Sequence, residues 1–297
     1  MATLDPRHAG QPVAPELAEF TRRMALELAG EAPELPSFPE VALRVRRALS
    51  QEDIAVDEVV RIVSAEPSLA VRLLQLANSV AQNPGMQRVT TLRTAITRLG
   101  FNLARSATIA FAMSQMRRAT SWRGLEARFR EIWESSARLA AVSHAIARHA
   151  RREDADQALL AGMLHAIGRL FVLTRLGAWP VLCGGAMYDE IERDWHARAG
   201  RALLARWDLD EDIIAAACDF EQAHAQRAGR ATLSDVLLAG HYLAGVRDET
   251  DVATAEFLGT APFKRLRLDA AHLAAVLESS AAEIAALRAA LGDQPRL

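Results

Sequence analysis

The sequence predicts an all-α fold, and three observations lead to that prediction. Hydrophobic residues make up 51% of the 297 residues but aromatic residues only 5%, and Ala, Leu and Arg, which favour helices, dominate the composition. Apolar residues recur at spacings of three and four along most of the chain, which is the period of an amphipathic helix. No segment alternates as a half-buried strand would, and no internal repeat indicates a solenoid.

Apolar periodicity divides the chain into a series of helices. Each segment places its larger aliphatic side chains on one face and its charged residues on the other. The helices are expected at 15–30, 41–50, 57–66, 67–79, 91–100, 102–116, 122–150, 188–206, 210–226, 232–246 and 270–291. One further helix is expected to include 159–173.

Residues that favour helix ends support these boundaries. Gly30 and Gly100 are expected to end helices, because glycine accepts the backbone conformation of a C-cap. Asp57 can cap the helix that follows it, and Pro67 suits a first helical turn. Asn78 follows an apolar helix, where its side chain can bond terminal backbone groups.

Charge and cysteine content limit the possible functions. Basic residues number 35 and acidic residues 37, for a net charge of −2, so no global field favours nucleic acid as a partner. Cys183 and Cys218 lack the paired spacing of zinc ligands and are expected to be free thiols in a reducing cytoplasm. The N-terminus lacks the apolar core of a signal peptide, and no apolar run reaches the ~18 residues that a membrane helix needs. We therefore expect a cytoplasmic protein without a membrane segment.

Seven sequence blocks, in this order, carry a resemblance to a known family. They are LPSFPEVALRV, EPSLAVRLLQLANS, AITRLG, FREIWESSARLA, LLAGMLHAIGRL, HARAGRALLARWDLDEDIIAAA and LSDVLLAGHYLA. The series, from Leu35 to Ala244, resembles the HDOD domain, the "HD-related output domain" of bacterial signalling proteins. The resemblance implies an N-terminal helical lobe packed on a degenerate HD-type helical lobe. We accordingly divide the chain into an N-terminal tail and helix (1–34), the HDOD domain (35–244) and a C-terminal helical extension (245–297).

The resemblance also implies that a metal site has been lost. HD phosphohydrolases hold a metal with a histidine on one helix, a His-Asp pair on the next and a later aspartate, and the metal activates water. The first histidine falls at Ser135, the pair at His165 and Ala166, and the late aspartate near Gly240. Because His165 alone remains, we expect no catalytic residue, no metal and no cofactor. His165 and His196 are the candidate residues of a residual pocket, although a buried, hydrogen-bonded role is the simpler interpretation of each.

A metal could still be held by other side chains, but their spacing does not bring them together. No HExxH and no pair of histidines four residues apart on a helix is present. The substitutes would have to come from Asp156, Asp194, His196, Asp219 and Glu221.

Three functional hypotheses follow. The first is a non-enzymatic signalling module that binds other proteins; the resemblance implies sensor kinases, receiver proteins or proteins of cyclic-dinucleotide signalling as partners, with neither membrane nor nucleic acid. The second is a sensor that holds a nucleotide or another small molecule in the old cavity. The third is a residual metal-dependent phosphohydrolase.

The C-terminal helix poses a separate question. Over 270–291 a stripe of large aliphatic residues recurs at steps of three, four or seven, and it consists of Leu273, Leu277, Ile284, Leu287 and Leu291. Such a stripe must be buried, because exposing each aliphatic side chain forfeits roughly 1.5–3 kcal/mol. We expect it to cover the surface of its own domain, and the alternative is the groove of a partner.

Overall fold

A computed structural model describes residues 13–30, 44–45, 48, 54–78, 88–119, 124–150, 155–207, 209–222, 229–245 and 256–291. Within these ranges there is no strand, which confirms the all-α fold. The α-helices in chain order are α1 (Val13–Ala29), α2 (Val56–Ser64), α3 (Pro67–Ala77), α4 (Leu92–Ala119), α5 (Glu126–His149), α6 (Ala155–Leu164), α7 (Ile167–Leu176), α8 (Gly185–Arg206), α9 (Glu211–Asp219), α10 (Leu233–Ala244), α11 (Ala261–Leu266) and α12 (Ala270–Leu291).

Local signals for helix ends were mostly correct. Pro67 begins α3 as expected. Gly100 interrupts α4 with φ 74° and ψ 163°, a left-handed conformation that favours glycine. The cap assigned to Asp57 was wrong, since the N-cap of α2 is Ala55 and Asp57 lies in the first turn. There its carboxylate still interacts favourably with the helix dipole and forms an ion pair with Arg93.

Asn78 confirms the expected bonding of its side chain to the backbone. Its Nδ2 donates to the carbonyls of Leu74 and Val89, both at 2.8 Å. The backbone N–H of Val89 donates in return to Asn78 Oδ1 at 2.8 Å. One amide side chain therefore both ends α3 and ties it to the segment that leads into α4.

The segment 159–173 was expected to be one helix, and this expectation was wrong. The chain bends at His165 and Ala166, between the end of α6 and the start of α7. Ala166 has φ −94° and ψ 6°, outside the helical range. Because of this bend, His165 lies between two helices rather than in the middle of one. Its side chain lines the cavity described below.

One hydrophobic core connects the helices of the N-terminal and C-terminal halves. Its buried members include Leu73 on α3, Ile96 on α4 and Phe171 on α7. Helix α4 packs on α6, while α5 and α6 form the most extensive helix pair. Trp133 and Trp207 are buried in this core, where their large rings contribute much apolar area.

The C-terminal helix covers its own domain, which is the first of the two expected destinations. Helix α12 packs along α5 and also contacts α3 and α4. Leu273 and Val276 are fully buried, while Leu277 and Ile284 are partly buried against the core. The side chains of Leu287 and Leu291 lie outside those that the structure describes.

The apolar segment Ala155–Leu176 corrects the expectation that no stretch is long enough to cross a membrane. By length and composition it passes such a test, but 78% of its apolar window is buried within the protein. The bend at His165 also divides it into two helices of 10 residues each. These are properties of core helices in a packed domain.

Candidate functional site

A cavity of about 440 Å³ opens where α5, the bend between α6 and α7, and the end of α10 meet. Its lining combines acidic, basic and imidazole side chains. The lining residues are Glu131, Glu134, Ser135, Arg138, Leu139, His165, Arg169, Glu221, His241, Ala244 and Gly245. The volume falls within the range of small-molecule pockets.

His165 is held in one tautomer by the backbone of the bend. Its Nδ1 lies 2.7 Å from the carbonyl oxygen of Gly162, and since a carbonyl can only accept, Nδ1 carries the hydrogen. Nε2 therefore keeps its lone pair. Burial lowers the pKa of His165 from 6.5 to about 3, so the ring is neutral at physiological pH.

This pKa predicts how stability depends on pH. The unfolded chain binds a proton at this ring near pH 6.5, but the folded chain binds it only near pH 3. Acidification through that window therefore favours the unfolded state. Relative to His165→Gln, the wild type should lose about 1–2 kcal/mol of unfolding free energy between about pH 7 and about pH 5. Urea unfolding of both proteins at the two pH values measures the difference, and parallel losses would show that this ring is not the group responsible.

Apart from His165, the positions that correspond to metal ligands hold residues without an imidazole or a carboxylate. Ser135 lines the cavity, but its hydroxyl donates to the carbonyl of Ile132 at 2.9 Å. Ala166 is completely buried in the core. Gly240 lies where α10 crosses α5, and a Cβ at this position would lie 2.5 Å from Ser143 Oγ. A carboxylate side chain at residue 240 would therefore displace Ser143.

Of the two candidate pocket residues, the structure brings only His165 to the cavity. His196 is not among the lining residues, and its Nδ1 lies 2.9 Å from the carbonyl oxygen of Glu192 in its own helix. This is the satisfied, half-buried role that simple burial of an imidazole predicts.

The possible substitute ligands are also separated. Of that set, Glu221 alone lines the cavity. Asp219 forms an ion pair with Arg201, and Asp156 lies 3.7 Å from His144 Nε2. Across the described ranges, no group of three or more His, Cys, Asp or Glu side chains is placed to hold a metal ion.

Several cavity residues were missed in the sequence. Glu131, Glu134 and Arg138 lie three and four residues apart on α5, so a polar stripe on this helix was a detectable signal. His241 follows Gly240 directly, and Phe220 lies between the two histidine rings. The ring centroid of Phe220 is 6.3 Å from that of His165 and 5.5 Å from that of His241. No periodicity could reveal that contact, because the three rings come from distant segments.

The two cysteines are free, as predicted. Burial raises the pKa of the Cys183 thiol to about 11 and that of Cys218 to about 12. Both groups are therefore protonated at neutral pH, a state in which a thiol is a poor nucleophile.

Comparisons with known proteins place this site in context. The family model of the HDOD domain matches residues 35–223. An uncharacterised protein of Treponema pallidum (strain Nichols) is 23% identical in an alignment of 217 residues that covers 67% of this chain and 40% of that protein. The chain thus spans less than half the length of this curated relative.

Solved structures show the same fold. A candidate metal-dependent phosphohydrolase of Shewanella amazonensis SB2B aligns with a TM-score of 0.73 and 22% identity, over 91% of this chain and 99% of that chain. A candidate signal transduction protein of Marinobacter aquaeolei VT8 aligns with a TM-score of 0.57 and 17% identity, over 93% of this chain and 65% of that chain. At such identities the likeness concerns the fold alone.

Proposed function

The chain belongs to the HDOD domain family, and from that premise we propose that it is a non-catalytic module of signal transduction that acts by binding other proteins. One observation carries this proposal. The three positions that would complete a metal centre with His165 hold Ser135, Ala166 and Gly240, none of which offers an imidazole or a carboxylate.

The chemistry of hydrolysis explains why this observation matters. Activation of water at a phosphoester needs a divalent metal held by several nitrogen or oxygen ligands. The ring of His165 has the tautomer that such a ligand needs, with Nδ1 hydrogen-bonded to the backbone and Nε2 unprotonated. A single imidazole does not hold a catalytic metal, so we assign His165 a structural role.

Signalling proteins are the proposed partners. Sensor kinases, receiver proteins and proteins of cyclic-dinucleotide signalling are the classes that the family implies, and the structural neighbour from Marinobacter aquaeolei is named a signal transduction protein. We propose that the domain acts in the cytoplasm, by contact with such proteins.

The test of the proposal is metal content together with hydrolysis. The purified protein should hold well under one equivalent of iron, manganese, zinc or magnesium by elemental analysis. It should not cleave bis(p-nitrophenyl) phosphate above the rate of the added metal alone. His165→Ala should leave both measurements unchanged. Stoichiometric metal that disappears in His165→Ala, together with hydrolysis, would establish a phosphohydrolase instead.

The cavity itself favours a second candidate function, the sensing of a small molecule. It has a volume of about 440 Å³, and its lining includes Arg138 and Arg169, whose guanidinium groups suit the phosphates of a nucleotide. Melting curves with cyclic dinucleotides and guanosine tetraphosphate test this candidate, because a ligand that binds only the native state raises the midpoint. A shift that Arg138→Gln abolishes would favour the sensor.

A further inference from the structure

A second cavity, of about 560 Å³, lies on the C-terminal side of the domain. It is bordered by the end of α5, by the segment that precedes α10 and by the end of α11. The described residues that line it include four basic side chains, Arg230, Lys264, Arg265 and Arg267, and no acidic side chain. This local excess of positive charge contrasts with the net charge of −2 of the whole chain.

Arg265 forms the fixed part of this cavity. Its side chain is 10% exposed and is paired with the fully buried carboxylate of Asp235, with Nε 3.1 Å from Asp235 Oδ1. The other oxygen of Asp235 accepts from the N–H and the hydroxyl of Thr232, at 2.8 Å and 3.1 Å, in the capping box of α10. This network neutralises Arg265, so among the described lining residues the remaining charge comes from Arg230, Lys264 and Arg267, which are exposed.

Helix stability explains this cluster only in part. Lys264 and Arg265 lie in the last turn of α11, where a cation interacts favourably with the helix dipole. However, α11 has only 6 residues, and Arg267 lies beyond its end with φ 56° and ψ 42°. Among the described residues it is the sole non-glycine with positive φ, at a C-cap position that favours glycine. An arginine at this position therefore costs stability, while its guanidinium adds a charge to the lining of the cavity.

We propose that this cavity is a binding site for the phosphate groups of a small phosphorylated molecule. Arginine and lysine are the side chains that proteins use to bind phosphate oxygens. The volume suits a compact ligand. The basic side chains among the described lining residues would recognise the charge of such a ligand. This inference does not depend on the proposed function, because it concerns different residues.

Calorimetric titration with inorganic pyrophosphate at low ionic strength tests the proposal. The wild type should bind one equivalent with saturation, and Lys264→Gln/Arg267→Gln should weaken the affinity at least tenfold. Arg193→Gln is the matched control, because this substitution also removes a positive charge. Arg193 is exposed on α8 and lines neither cavity. Melting curves of all variants verify that each is folded.

Co-sedimentation with phosphatidylcholine vesicles, with and without phosphatidic acid, distinguishes the two sources of such a phosphate. Pyrophosphate binding without co-sedimentation would assign a soluble ligand. Co-sedimentation that requires phosphatidic acid and is lost in Lys264→Gln/Arg267→Gln would assign a lipid headgroup to the same site. The proposal would be overturned if neither probe bound, or if Arg193→Gln weakened binding as much as the double variant.

Discussion

Gly168→Ala is expected to destabilise the protein by at least about 3 kcal/mol, or to prevent folding. The added methyl group would meet backbone atoms of a neighbouring helix, which cannot move aside as a flexible side chain could. Gly168 lies in α7 where this helix crosses α8. A Cβ there would overlap the carbonyl oxygen of His196 and would lie 2.7 Å from the backbone nitrogen of Gly200. Both neighbours are backbone atoms, so α7 and α8 would have to separate. The bend that carries His165 would move with α7.

Gly177→Ala is the matched control for this experiment. Gly177 follows the same helix with φ −54° and ψ −23°, and its nearest contact for a Cβ is the Thr174 carbonyl at 3.5 Å. Alanine there should change the unfolding free energy by less than about 1 kcal/mol, in the stabilising direction, because it restricts the unfolded chain. Urea denaturation measures both variants. Equal effects at the two positions would contradict the close approach of α7 and α8.

Asp235→Ala is expected to cost about 3–5 kcal/mol, because removing one partner of a buried ion pair leaves the other charge uncompensated. Asp235 is fully buried, and its partner Arg265 has a side chain that is 10% exposed. The same substitution removes the capping box at the start of α10. The loss should appear as a lower urea midpoint with an unchanged denaturant dependence.

Two further variants separate the ion pair from a general effect of charge. Glu19→Ala removes a carboxylate that pairs with Arg22 and Arg23 at the surface, and it should leave the urea midpoint nearly unchanged because water screens such pairs. Asp235→Ala/Arg265→Met should recover part of the stability lost in Asp235→Ala, since no buried charge then remains unpaired. A double variant less stable than the single one would show that Arg265 does not depend on Asp235.

Most of the helices could be predicted because the signals for them are local. A helix is held by bonds between residues four apart, so propensity, apolar period and terminal residues within one segment determine it. Pro67 and Gly100 were interpreted correctly for this reason. Asp57 was not, because several neighbouring residues suit a helix start and the packing of α2 against its neighbours decides among them.

The candidate site divides in the same way. The residue types at positions 135, 166 and 240 indicate that metal ligands are missing, and this interpretation needs no coordinates once the resemblance is accepted. The participation of His241 and Arg169 could not be predicted, since these residues line the cavity of His165 only after α6, α7 and α10 pack together. The contacts of Phe220 with the rings of His165 and His241 have the same origin. That His196 does not line this cavity is also a result of how the helices pack, which the sequence does not reveal.

By itself, therefore, the sequence determined the helical fold class, the family resemblance and the chemical types present at the old ligand positions. The tertiary structure decided that the chain bends at His165, that four basic residues gather around one cavity and that α12 covers its own domain. The physical reason is the range of the interactions. Hydrogen bonds within a helix join near neighbours, whereas a bend, a cavity or a buried ion pair such as Arg265 with Asp235 depends on contacts between residues that are far apart in the chain.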